Sequence, residues 1–164
     1  MRDTVVIDND ALICELVTDA LGSSGAAVQW ATKGRSGRKL LTTKHFDLAI
    51  IDVVLPDASG LALAEIAANE NTPVLLITGH PNGTARLGQH GLLDLPCLLK
   101  PFDLVQLRAE MEQVVGESRR NIQRIKDGMA QWRASLAGLE DALANSRRLI
   151  DEIWRQGALE PNED

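Results

Sequence analysis

Four polar residues close otherwise apolar runs in this 164-residue chain: Asp8 ends VVID, Asp52 ends LAIID, Thr78 ends VLLIT and Lys100 ends CLLK. Two carboxylates, a hydroxyl and an ammonium form a set that can hold a hard cation through oxygen and neutralise an incoming anion. Around the first of them, the stretch VVIDNDALI adds Asn9 and Asp10. Two chemistries fit that stretch. Asp8 could be a nucleophile with Asp10 as its acid, or Asp8 and Asn9 could form the metal-holding rim of a site whose nucleophile lies elsewhere. A single polar residue at a strand end needs no function, because strand ends face water. Four residues of complementary types, each ending a different apolar run, argue for one site.

The elements that must position them alternate regularly. Strands are expected at TVVID, AAVQWA, LAIID, PVLLIT and CLLK, and most are apolar throughout, as strands covered on both faces are. Helical patterns fall between and after them, at Ala11 to Leu21, Arg35 to Thr43, Gly60 to Glu70, Thr84 to Leu93 and Asp103 to Val115. This βα order predicts an α/β fold, a parallel sheet flanked by helices with right-handed crossovers. In such open sheets ligands bind beyond the carboxyl ends of the strands, where all four polar residues fall.

Composition narrows the function classes. A net charge of −6 gives no electrostatic footprint for nucleic acid, and the part from Gly116 onward, with 8 Lys+Arg against 9 Asp+Glu, is not basic either. No apolar run approaches the roughly 18 residues of a membrane helix, and the start MRDTVVID runs straight into strand-like sequence, unlike a signal peptide. A cytoplasmic location is expected. Cys14 and Cys97 lie in apolar runs without metal-type spacing, so both are expected to be buried free thiols.

The segments VVIDNDALI, DLAIIDVVLPDASGLALAE, PVLLITG and LLKPF resemble the receiver domain of two-component response regulators, over roughly Asp3 to Val115. The resemblance implies a flavodoxin-like five-stranded sheet of order 2-1-3-4-5. It places the phosphoacceptor on Asp52, followed by the turn at Leu55, Pro56, Ser59 and Gly60, the hydroxyl on Thr78 and the Lys-Pro pair on Lys100 and Pro101. It implies a Mg²⁺ site made by Asp52, Asn9 and the Val54 carbonyl, with Asp8 acting through water. It also implies a histidine kinase or histidine phosphotransfer protein as phosphoryl donor. Val54 and His80 fall where the family modulates dephosphorylation. Signalling, not turnover of a substrate, is the implied activity.

The resemblance has three gaps. Asn9 stands where the family has a second acid, which removes a negative charge from the metal site. Cys97, three residues before the lysine, stands where the family has an aromatic ring, so the usual coupling of hydroxyl and ring cannot operate in that form. Gly83, Gly88 and Gly91 weaken the helical stretch at 84–93, each interior glycine costing about 1 kcal/mol relative to alanine. A pseudo-receiver that keeps the fold without phosphorylation is therefore a second expectation. A haloacid-dehalogenase-like phosphatase, which also begins with an apolar strand and D-x-D, is a remote third; it leaves the DVVLPDASG turn unexplained and lacks a later acidic cluster. On the receiver reading Asp10 serves as the N-cap of the helix starting at Ala11.

Beyond Gly116 the pattern changes to a helical extension expected at 116–156, with a disordered tail at 157–164. With Ile122 as position a, the a/d series runs Ile122, Ile125, Met129, Trp132, Leu136, Leu139, Leu143, Ser146, Ile150 and Ile153, apolar at all but Ser146. A 3.5-residue period over four heptads is the pattern of a left-handed coiled coil. The phase extends back through Ser118 and Val115 to Met111, and a helix continuous from Met111 to Ile153 would extend about 65 Å. Its stripe predicts self-association as a dimer or higher oligomer; a bend at Gly128 or Gly138 into a helical hairpin, or folding back on its own receiver, is the alternative. The extension holds no histidine for phosphotransfer, no basic surplus and no helix-turn-helix punctuation, so no DNA-binding output domain is expected.

Overall fold

The computed structural model describes residues 3–22, 25–80, 87 and 95–157. The helical stretch expected at Thr84 to Leu93 with its glycines lies outside the described residues, except for Leu87, which is buried. The expected tail lies outside them from residue 158 on.

Five parallel strands, β1 (Asp3–Ile7), β2 (Ala27–Ala31), β3 (Leu48–Asp52), β4 (Val74–Thr78) and β5 (Cys97–Leu99), form one sheet in the order β2-β1-β3-β4-β5. Helices α1 (Ala11–Gly22), α2 (Gly34–Thr43), α3 (Gly60–Asn69) and α4 (Leu104–Gly116) connect and cover it. The expected strands and helices reappear within a residue of their ends. The apolarity of β3 and β4 up to their polar last residues follows from position, since every residue of both is buried. One face, with Val6, Leu48, Ile50, Leu75 and Ile77, packs on Cys14, Val17 and Leu21 of α1 and on Leu107, Met111 and Val114 of α4. On the other face α2 approaches so closely at Gly37 that a Cβ there would lie 2.6 Å from Ile7 Cδ1.

The long C-terminal helix is present, but it is not continuous with the helix that carries Met111. Helix α4 ends at Gly116, Glu117 caps it with φ −104° and ψ 22°, and a separate helix α5 (Ser118–Gly157) begins. Glycine is a poor helix interior residue, and the Glu117 carboxylate stands at the positive end of α5, ion-paired to Arg120 at 3.4 Å and Arg124 at 3.3 Å. The heptad phase survives the break; the backbone does not.

The first turns of α5 pack with the first compact unit. Ile125 and Met129 are buried, and Asn121, also buried, donates its side-chain amide to the Val74 carbonyl at 2.9 Å while its Oδ1 accepts from the Val74 amide at 2.7 Å. The first compact unit accordingly ends at Met129, beyond the boundary expected at 115. In the second unit, from Ala130, the stripe positions Leu136, Leu139, Leu143, Ile150 and Ile153 are 42 to 67% exposed. No helix among the described residues is long and apolar enough to cross a membrane.

Candidate functional site

Parallel register brings the expected residues to one rim. Ile7 pairs with Ile51 and Asp52 with Ile77, so Asp8, Asp52 and Thr78 leave adjacent strands at the same edge. Lys100 joins them from β5, its amide donating to the Thr78 carbonyl at 2.8 Å. It is followed by a cis peptide bond to Pro101.

The side chains converge on the ammonium. Lys100 Nζ lies 2.7 Å from Asp52 Oδ2 and 2.6 Å from Asp8 Oδ2, with Asp8 fully buried and Asp52 5% exposed. Only the contact to Asp52 has hydrogen-bond alignment; Asp8 Oδ2 is a buried oxygen with no hydrogen-bond partner, held by charge alone. The remaining carboxylate oxygens are oriented by the backbone, Asp8 Oδ1 accepting from the Asp10 amide and Asp52 Oδ1 from the Val54 amide, both at 2.9 Å. Direct pairing of Asp8 with Lys100 was not expected from the sequence, which assigned Asp8 a water-mediated role toward a metal.

Electrostatics follow from burial opposed by pairing. Burial pushes the Asp8 carboxyl above its ordinary value, against the lowering influence of Lys100 and the Asp10 amide. For Lys100, burial pulls downward, but its close pairing with the Asp52 and Asp8 carboxylates outweighs it and holds the ammonium above its ordinary value. Two carboxylates and one buried ammonium leave a net negative pocket, suited to a cation.

Thr78 is fully buried, and its Oγ1 accepts from the His80 amide at 3.3 Å; His80 itself is exposed. Asn9 and Val54 are exposed on the loops after β1 and β3, where solvent and a cation can reach them. Among the described residues no group of three or more Asp, Glu, His or Cys gathers, so a cation here takes at most the two carboxylates plus neutral oxygens. Mg²⁺ accepts that donor set, keeping several waters, and the two carboxylates that share one ammonium leave negative charge for it to neutralise. The residues fit the metal that the sequence implied.

The loop after Asp52 is locked by close contacts. A Cβ at Gly60 would lie 1.9 Å from the Asp52 carbonyl oxygen, so only glycine lets α3 start beside the site. Ser59 caps α3 through its Oγ, which accepts from the Ala62 amide at 3.4 Å. Asp57, not singled out in the sequence, reaches across to α2: its carboxylate accepts from the Gly34 amide at 2.8 Å and the Arg35 amide at 3.3 Å. Those amides hold the Asp57 carboxyl below its ordinary value. Asp10 behaves as the expected cap, its Oδ1 accepting from the Leu12 amide at 3.0 Å. Both cysteines are free; Cys14 is buried, Cys97 half-buried, and burial with a nearby carboxylate, Asp8 or Asp52, pushes each thiol up to about 11.

Residues 4–112 match the family model described as the response regulator receiver domain. The chain belongs to this receiver domain family. It is 32% identical over 111 residues to the response regulator protein PmrA of Pseudomonas aeruginosa, covering 65% of this chain and 49% of that protein. It is 30% identical over 115 residues to the transcriptional regulatory protein QseB of Haemophilus influenzae, covering 68% and 51%. The chain thus spans about half the length of these curated relatives. Among solved structures, a CheY-like receiver from Methanospirillum hungatei JF-1 superposes with a TM-score of 0.62 at 21% identity, covering 73% of this chain and 98% of that one. A receiver protein from Sinorhizobium medicae gives 0.63 at 21% identity, covering 71% and 96%. These likenesses establish the CheY-like fold. Receiver domains are signalling modules of two-component systems that interact with histidine kinases or phosphotransfer proteins, and they generally bind Mg²⁺ at their acidic site.

Proposed function

We propose that Asp52 accepts a phosphoryl group from the phosphohistidine of a histidine kinase or phosphotransfer protein, and that the signal leaves through protein contacts. The observation that carries this reading is the buried Asp52 carboxylate paired at 2.7 Å with Lys100 at the carboxyl edge of the sheet. An Asp52 oxygen attacks phosphorus, the phosphorus–nitrogen bond breaks, and the electron pair leaves with the imidazole, which takes up a proton. The product is an acyl phosphate whose lost carboxylate charge frees the Lys100 ammonium to pair with a phosphoryl oxygen. Thr78, buried at the end of the neighbouring strand β4, would donate its hydroxyl to that group. Asp8, Asp52, Asn9 and the Val54 carbonyl would hold the divalent cation. When bound, the cation neutralises the repulsion between two anions. The exposed stripe of α5 supplies the contact surface, with a second copy of this chain as its partner.

The amide at Asn9 favours one rival, a receiver-fold scaffold that is not phosphorylated. Acetyl phosphate with Mg²⁺, followed by intact mass measurement, separates the two. One phosphoryl increment on the wild-type chain and none on Asp52→Asn is expected; an unmodified wild type would leave the scaffold reading standing.

A further inference from the structure

The charges flanking the exposed stripe of α5 carry information about orientation. With Ile122 as position a, Glu140 and Arg147 both occupy position e, one heptad apart. Neither has an ion-pair partner among the described residues. The stripe they flank, Leu136, Leu139, Leu143, Ile150 and Ile153, stands exposed. Residues at e and g in coiled coils select partner and orientation through the charges they meet across the seam.

In a parallel, in-register pair each g residue meets the e residue of the following heptad. Ser135 would then face Glu140, Ala142 would face Arg147, and Leu149 would face Trp154. No charge meets a charge, and Ser146 meets Ser146 in the seam. In an antiparallel pair e meets e. One register sets Glu140 of each copy against Arg147 of the other, and two-fold symmetry makes two such bridges. Slipping by one heptad in either direction sets Glu140 against Glu140 or Arg147 against Arg147. The favoured register is therefore bracketed by repulsive ones, the form that specificity by both attraction and repulsion takes.

We infer that α5 pairs with α5 of a second copy in antiparallel orientation, in the register that joins Glu140 to Arg147. The inference rests on the self-association reading above and is independent of phosphorylation. Its two-fold axis crosses the 140–147 heptad, so the N-terminal ends of the two helices lie at opposite ends of the pair.

Sedimentation equilibrium of the full chain at low salt tests this. The wild type is expected to dimerise, with Glu140→Arg and Arg147→Glu each weakening the dimer about tenfold and the double variant restoring it. Leu143→Asp is expected to abolish the dimer, and higher salt to shrink the charge effects. A dimer indifferent to both single reversals, or weakest in the double variant, overturns the antiparallel register but leaves self-association intact. A wild type that stays monomeric, or a dimer that survives Leu143→Asp, overturns self-association through this helix and the register with it.

Discussion

Strand β4 is held at both ends by polar side chains, and the two ends are built on opposite terms. At its carboxyl end, Thr78 borders a cluster in which one ammonium serves two buried carboxylates and one carboxylate oxygen has no hydrogen bond. At its amino end, the Asn121 amide meets the Val74 N–H and C=O with one donor and one acceptor, leaving nothing unpaired. The first arrangement is short of positive charge and therefore suited to a cation. The second is neutral and complete, and serves stability alone. Incomplete satisfaction marks the end of the strand that carries the candidate site.

Removing Lys100 should break the comparison most severely. Lys100→Met leaves Asp8 and Asp52 buried together without a counter-ion, and a loss of about 3 kcal/mol is expected in urea unfolding without divalent ions. Millimolar Mg²⁺ should recover part of that loss in the variant and add less to the wild type. At the other end, Asn121→Ala orphans two buried backbone groups, with an expected loss of about 2 kcal/mol that Mg²⁺ does not change.

The smallest effect is one of pH. Because the Lys100 ammonium is held above its ordinary value of 10.5, its contribution is fully present below that pH and is lost as pH rises through the folded value. Thermal unfolding followed upward from pH 9 should fall more steeply for the wild type than for Lys100→Met. Parallel curves would mean that the ammonium is not held by the carboxylates.

The same contrast explains what could be read from the residues beforehand. The candidate site was legible because Asp8, Asp52, Thr78 and Lys100 each break an apolar run, and a parallel sheet leaves such breaks on one edge. The Asn121 clamp was not legible. An asparagine between heptad positions looks like any solvent-facing helix residue, and only the tertiary approach of α5 to Val74 gives it partners. The stripe on α5 shows the same limit in another form. Its periodicity predicts an apolar face at Ile125 and Met129 as at Leu139 and Leu143, yet the first two are buried in the first compact unit and the others are exposed. Period announces that a face must be covered and is silent about what covers it. The break at Glu117 was hidden for a related reason, since a short interruption that preserves the 3.5-residue phase leaves no mark in the pattern.

Asp57 closes a second path away from the site. It lies on the short loop between Asp52 and α3, and its two carboxylate oxygens grip the first amides of α2. Any shift of that loop would either stretch those two bonds or drag the start of α2 along. The loop that follows Asp52 is thereby tied to the flank of the sheet opposite α1 and α4.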